Sequence, residues 1–382
     1  MERTIYLDYN ATTPVDPAVV AAMLPYFNEH YGNPHSQHRL GSAAAAALAA
    51  AREQVASLIG ASPGEVVFTS CASESINLAL KGVAFARGRG HIITSGIEHP
   101  ATLQACRYLE REFGFALTVL PADGQGRVDP DAVRRALRPD TILISLLHAQ
   151  NETGVIQPVE EVGRIAREAG VLFHVDAAQS CGKIPVSVEA IGCDLLTVAG
   201  HKLYAPKGVG ALYVRRGVSI HPLIHGADYE EGRRAGTENV PYIVALGRAC
   251  EIAEMKLVTG EPRRLAELRD WLEAALTEAL PVRVTGQGAP RLPNTLHVRF
   301  EGLVGNDLLA AAPTVAASTG SACHAGVSEP SAVLLAMGLS PADALGAVRL
   351  SLGRPTTREE VEAAATALID AARRLRAGAW HA

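Results

Sequence analysis

Between Ser42 and Lys256 short apolar runs alternate with segments of helical periodicity, and this alternation constrains the fold more than any other feature of the chain. The runs EVVFTS, HIITSG, ALTVL, TILISLL, VLFHVD, DLLTVAG and VGALYV are of strand length and apolar almost throughout. A strand that is apolar on both faces has to be covered on both. Strands separated by helices pair in parallel, with the helices as crossovers. The expectation is an α/β fold, a mostly parallel sheet with helices on both faces. VEEVGRIAREAG has the crossover pattern, and Gly170 stands where a helix C-cap favours glycine.

After TENVPYIVALGRACEIAEMK the order changes to a helix, RRLAELRDWLEAALTEAL, then VRVTG, NTLHVRF, TVAAST and AVRLSLG, then a last helix. That pattern predicts a smaller α+β domain, and 382 residues are too many for one simple core. The expected division is a large domain over residues 15–260 and a small one built from residues 1–14 and 261–382. With 48% hydrophobic and 20% charged residues the chain has the composition of a folded protein. Its net charge of -5 includes no basic stripe, which argues against direct contact with nucleic acid. The opening MERTIYLDYNATTPVDP lacks the pattern of a signal peptide and reads as a strand entering a turn. The alanine-rich stretch after Ser42 is amphipathic and closed by Arg52 and Glu53, so no membrane span is expected. The cysteines at 71, 106, 181, 193, 250 and 323 form no CxxC pair and no zinc-spaced set, which favours a reducing cytoplasmic setting and no metal.

Several polar residues fall at the ends of predicted strands. In LTVAGHKLYAPKG, Lys202 follows a strand and a histidine; alone, it reads as an exposed loop lysine. FHVDAAQS puts Asp176 at the end of a buried strand, with Gln179 three residues on. A carboxylate there needs a cationic or donor partner, either a protonated pyridine nitrogen or a structural salt bridge or cap. TSCASESINLAL is a strand, a small-residue turn and a helix start, so Ala72 and Ser73 form either a phosphate seat or a plain capping box. In SGIEHP, His99 precedes a proline and offers a planar ring for stacking, or is merely solvated. HAQNETG sets Asn151 and Glu152 at another strand end, where a turn is the ordinary reading. In open α/β sheets, ligands bind at the carboxyl ends of the strands, where all of these residues lie.

The motifs YLDYNATTPVDP, GNPHS, FTSCASES, EHP, NETGV, HVDAAQS, GHKLYAPKGVGALYVRR, GTENV, STGSACHAG, SEPSAVL and VRLSLGR occur in order from end to end. Each is weak alone, but the ordered set is specific, and on it the chain resembles the cysteine desulfurases, fold-type I, class V enzymes dependent on pyridoxal 5'-phosphate. The resemblance implies that Lys202 forms the Schiff base, Asp176 faces the pyridine nitrogen and His99 lies against the ring. Gln179 would touch the ring hydroxyl, and Asn151 the ring or the substrate. Ala72, Ser73 and His201 would hold the phosphate with Thr237 of a neighbouring subunit, which implies a homodimer. Arg349 would pair the substrate carboxylate. Cys323, in the small-residue loop STGSACHAGVSEP, would be the nucleophile, with His324 beside it in sequence.

By that resemblance L-cysteine would displace Lys202 from the cofactor and the freed amine would remove the Cα proton. The Cys323 thiolate would then attack the substrate sulfur, leaving a persulfide and L-alanine. The persulfide would pass to a sulfur-acceptor protein, an iron–sulfur scaffold or a sulfur carrier. The chain departs from the family's usual pattern at Ala199, where a hydroxyl residue is common, at Cys71, where glycine is common, and at His324. SACHAG with VLLAMG is also similar to selenocysteine lyases, and an aminotransferase of the same fold would need no Cys323. A non-catalytic partner protein would tolerate the loss of Lys202.

Overall fold

The computed structural model describes residues 4–320 and 329–378 in full, and residues 323–324 and 327–328 by their backbone. Its strands, in chain order, are β1 (Ile5–Tyr6), β2 (Val66–Thr69), β3 (His91–Ser95), β4 (Ala116–Leu120), β5 (Thr141–Leu147), β6 (Leu172–Asp176), β7 (Leu195–Ala199), β8 (Gly210–Val214), β9 (Val282–Val284), β10 (Thr295–Phe300), β11 (Val315–Ala316), β12 (Cys323–His324), β13 (Val327–Ser328) and β14 (Ala347–Ser351).

All the apolar runs between Ser42 and Lys256 enter one seven-stranded sheet of order β2-β8-β7-β6-β5-β3-β4. From β7 to β4 the pairing is parallel, and β8 runs antiparallel to both its neighbours. Alternate residues along each strand join different clusters, as a period of two requires. Val67, Ile92, Leu143, Leu195 and Leu212 pack on one face against the helices Ala72–Arg87 and Pro100–Phe113. Phe68, Ile93, Ile144, Leu196 and Tyr213 pack on the other, with the helices Arg39–Ile59, Val159–Ala169 and Val240–Val258. The structure is therefore the α/β fold, with helices on both faces of a mostly parallel sheet.

A third cluster lies around the antiparallel sheet β14-β10-β9. Leu296, Val298, Val348 and Leu350 meet Leu268, Leu272 and Leu276 of the helix Glu261–Ala279, and Val361, Ala365 and Leu368 of the helix Arg358–Arg376. Ile5 and Leu7 join it, and β1 pairs in parallel with β11. The segment TVAAST thus pairs with the chain's own beginning. Beyond β1 the chain runs beside the end of β14, where the backbone N–H of Asn10 donates to Ser351 Oγ. Among the described residues, no helix is long and apolar enough to cross a membrane.

Candidate active site

The turns leaving β3, β5, β6 and β7 converge with the start of the helix Ala72–Arg87 on one cavity of about 600 Å³. Ala72 and Ser73 line one side of it, His99, Asn151 and Asp176 another, and Gln179, His201, Lys202 and Arg349 the rest. Arg349 is the exception to the strand-end rule. It comes from β14, where it faces His297 across the ladder with β10. Thr237 is not brought to this cavity; it lines a separate one with Glu230 and Arg234. The Cys323 side chain lies outside the described residues, as does that of His324, and their backbone pairs as β12 with β13.

The helix beginning at Ala72 has no side-chain cap, Cys71 being its N-cap residue. Its first backbone N–H groups therefore open on the cavity without an acceptor among the described residues, in the electropositive field of the helix end. The turn is pressed close to β8: a Cβ on Gly210 would stand 2.9 Å from the backbone carbon of Cys71 and from the Val198 carbonyl oxygen. On that side only glycine fits.

Asp176 ends β6 with its carboxylate enclosed, and the N–H of Ala178 donates to it at 3.0 Å. Burial raises its pKa, against the pull of that N–H, of His99 and of Lys202. Among the described residues no cation forms a salt bridge with it, so it lacks the partner that an enclosed carboxylate needs. His99 Nδ1 accepts the N–H of Ala101 at 3.1 Å. Burial lowers the pKa of this ring, with Asp176 opposing and Lys202 assisting, so a neutral imidazole with its proton on Nε2 satisfies the contact.

Lys202 closes a short 3-10 turn, Gly200–Lys202, that follows β7 directly. Its Nζ donates to the carbonyls of Asn10 and, at 2.8 Å, Ala11. Burial first, and Arg349 second, push its pKa down to about 8, with Asp8 and Asp176 opposing. His201 is pushed down to about 4 by burial and by Lys202, Lys207 and Lys183, and its Nδ1 lies 3.1 Å from Thr12 Oγ1. Arg349 donates to the Asn151 carbonyl at 3.0 Å and to Asp8 at 2.6 Å, while its buried Nε has no hydrogen-bond partner among the described residues.

Three residues built into this site escaped the sequence reading. Asn10 bonds across it to Thr295, Asn151, Asn294 and Lys183, and its carbonyl receives Gln179 as well as Lys202. Glu98 is enclosed beside His99, accepts from Ser95 and the N–H of Leu147, and is pushed up to about 8 by burial. Lys183 lies behind Gln179. The only signals were the position of Asn10 inside YLDYNATTP, the glutamate of EHP, and the spacing of four residues from Gln179 to Lys183.

These groups fit pyridoxal phosphate on the structure's own terms. A dianion suits the uncapped helix start, a pyridine N–H suits the unpaired Asp176, and an aldehyde suits an amine with a lowered pKa.

The pattern of the aminotransferase class-V family matches residues 5–364. The chain is 47% identical to the cysteine desulfurase IscS of Dictyoglomus turgidum, over 94% of this chain and 92% of the relative. It is 49% identical to the enzyme of the same name from Anaeromyxobacter dehalogenans, over 98% and 94%. A solved NifS-like protein superposes with a TM-score of 0.89 at 40% identity, covering 96% of this chain and 98% of its own. SspA, solved in complex with cysteine, superposes with a TM-score of 0.82 at 39% identity, covering 91% and 99%. The chain thus belongs to the class-V aminotransferase family of pyridoxal-phosphate enzymes and, within it, to the cysteine desulfurases.

Proposed function

We propose that this protein takes sulfur from L-cysteine, releasing L-alanine and leaving a persulfide on Cys323 for a sulfur-acceptor protein, an iron–sulfur scaffold or a sulfur carrier. In balance, L-cysteine and the Cys323 thiol become L-alanine and Cys323 persulfide. The observation that carries the reading is the meeting, in one cavity, of a lysine amine lowered to about 8, an unpaired enclosed carboxylate and an uncapped helix start. Membership of the cysteine desulfurases narrows the substrate.

Bound pyridoxal phosphate supplies an electron sink for the bonds broken at the substrate's Cα and Cβ. The rest falls to the chain's own residues. Ala72, Ser73 and His201 would hold the phosphate, helped by Thr237 of a second copy in a homodimer. Asp176 would hold a proton on the ring nitrogen, His99 would lie against the ring, and Gln179 and Asn151 would contact it. Arg349 turns from Asp8 to the substrate carboxylate, for which its unpaired Nε is a ready donor. The Lys202 amine takes the Cα proton and returns it, as an amine of lowered pKa can near neutrality. The Cys323 thiolate attacks the substrate sulfur, and the Cβ left behind gains a proton to complete alanine.

In this reading residues 15–260 are the cofactor-binding unit. Residues 1–14 and 261–382 form the unit that brings Arg349 and Cys323, and the whole acts in the cytoplasm without direct contact with nucleic acid. Purified yellow protein given cysteine and a dithiol reductant should yield alanine and sulfide, the dithiol being oxidised as it reduces the persulfide, and single-turnover mass spectrometry without the reductant should find one added sulfur on the Cys323 peptide. Cys323→Ala should still perturb the cofactor spectrum with cysteine yet release no alanine. Alanine release at the wild-type rate by that variant overturns the persulfide route. Activity retained on selenocysteine alone would reassign the protein as a lyase.

A further inference from the structure

Lys183 is half-buried as a residue, but its ammonium end is enclosed behind the cofactor cavity. Among the described residues it pairs with no carboxylate. Its Nζ donates instead to Gln179 Oε1 at 2.7 Å and to Asn10 Oδ1 at 2.8 Å. The charged groups that bear on it, Lys202 from the turn after β7 and Arg349 from β14, are both cations, and with burial they lower its pKa well below the ordinary lysine value. Those facing Lys202 in turn are Arg349, Asp8 and Asp176; Asp176 and Lys202 act in opposite directions on His99, and Lys183 acts on His201. An enclosed amine without a counter-ion is costly, so its placement calls for a role.

Geometry supplies one. The two ends of a glutamine amide have the same shape, and hydrogen-bond partners decide which way it points. Gln179 has its oxygen on Lys183, and its Nε2 donates to the Asn10 carbonyl at 3.0 Å, leaving the second N–H for the cavity that Gln179 lines. Turned over, the amide would set N–H against the Lys183 donors and oxygen against the Asn10 carbonyl. Lys183 also fixes Asn10 the same way, since Asn10 Oδ1 accepts from both Lys183 and Asn294 while its Nδ2 donates to Thr295 Oγ1 at 2.9 Å.

We propose that Lys183 is a positioning residue that locks the Gln179 amide with its N–H toward the bound cofactor and thereby lowers the proton affinity of the cofactor joined to Lys202. The inference rests on the cofactor and Lys202 assignments above. An N–H aimed at the ring hydroxyl favours its ionised form. A methionine of similar length at 183 makes neither the contact to Gln179 Oε1 nor that to Asn10 Oδ1, so it releases the amide.

The experiment is a spectrophotometric pH titration of the holoenzyme's visible band in wild type, Lys183→Met, Gln179→Ala and the double variant. Lys183→Met should raise the midpoint by roughly half a pH unit or more. Gln179→Ala should raise it too, and adding Lys183→Met to Gln179→Ala should shift it little further. A wild-type midpoint in Lys183→Met, or an undiminished further shift in the double variant, overturns the proposal. If Lys183→Met does not fold, Gln179→Ala decides, because an unchanged midpoint there removes the amide through which Lys183 is said to act. A wild-type protein without a visible band would instead sink the cofactor reading itself.

Discussion

Only the neutral form of the Lys202 amine can capture the cofactor's aldehyde, so the pH dependence of capture by the cofactor-free protein tests the electrostatics of the site directly. Burial and Arg349 bring the amine from 10.5 to about 8, against Asp8 and Asp176. At pH 7 that makes about one amine in ten neutral, where an ordinary lysine has about one in three thousand, a gain of roughly 300-fold. The initial rate of appearance of the visible band, followed by stopped flow, should rise about tenfold per pH unit below the midpoint and bend near pH 8. A lysine peptide measured in parallel removes the cofactor's own titration. Arg349→Met deletes the cation that helps hold the amine down, so the bend should move upward. Lys202→Ala should show no covalent capture. A rate still climbing tenfold per unit above about pH 9, or an unmoved bend in Arg349→Met, would refute the reasoning.

Glu98 tests the same environment through stability. Its folded pKa of about 8 lies above the ordinary 4.5, so its contribution is present below about 4.5 and lost as pH rises through about 8. Glu98→Gln, neutral throughout, should therefore gain melting temperature on wild type at about pH 8.5 relative to the difference at about pH 5, and equal differences at both would exclude the effect. Arg349→Lys keeps the charge but loses the planar fork, so KM for cysteine should rise about 10- to 100-fold with the cofactor spectrum unchanged, and an unaltered KM would remove Arg349 from the carboxylate. Thr237→Ala should speed cofactor loss by about tenfold if a neighbour's hydroxyl holds the phosphate, and a fully active monomer in sedimentation would contradict it.

The central sheet could be read from sequence because all its strands but the edge strand β4 are buried on both faces, so each of these leaves an apolar run of its own length. Direction was not readable. VGALYV is as apolar as its neighbours, yet β8 runs antiparallel, since apolar content records burial and not polarity. TVAAST was readable as a strand but not as the partner of Ile5–Tyr6, because a two-residue parallel pairing over some three hundred positions leaves no local trace. Strand-end residues such as Asp176, Lys202 and His99 were legible together, because a parallel sheet gathers its carboxyl ends along one edge whatever the side chains are.

What stayed hidden is the charge balance that makes those residues work. Lys183 after a glycine and Asn10 in a turn have the local pattern of solvated loop residues, and only the return of β10 and β14 across the chain's beginning encloses them. Once enclosed, the site collects three basic side chains, Lys183, Lys202 and Arg349; Arg349 lowers the proton affinity of both lysines and Lys202 that of Lys183, with Asp8 and Asp176 opposing at Lys202. Its two other acids are pushed toward the neutral form by burial, Glu98 to about 8 and Glu152 to about 7. Such a cluster opposes folding, since each group is taken from water without a full counter-charge. A bound phosphate and a substrate carboxylate bring the missing negative charge, so the same imbalance that weakens the empty protein draws in its two anionic ligands and holds the lysine amine near neutrality.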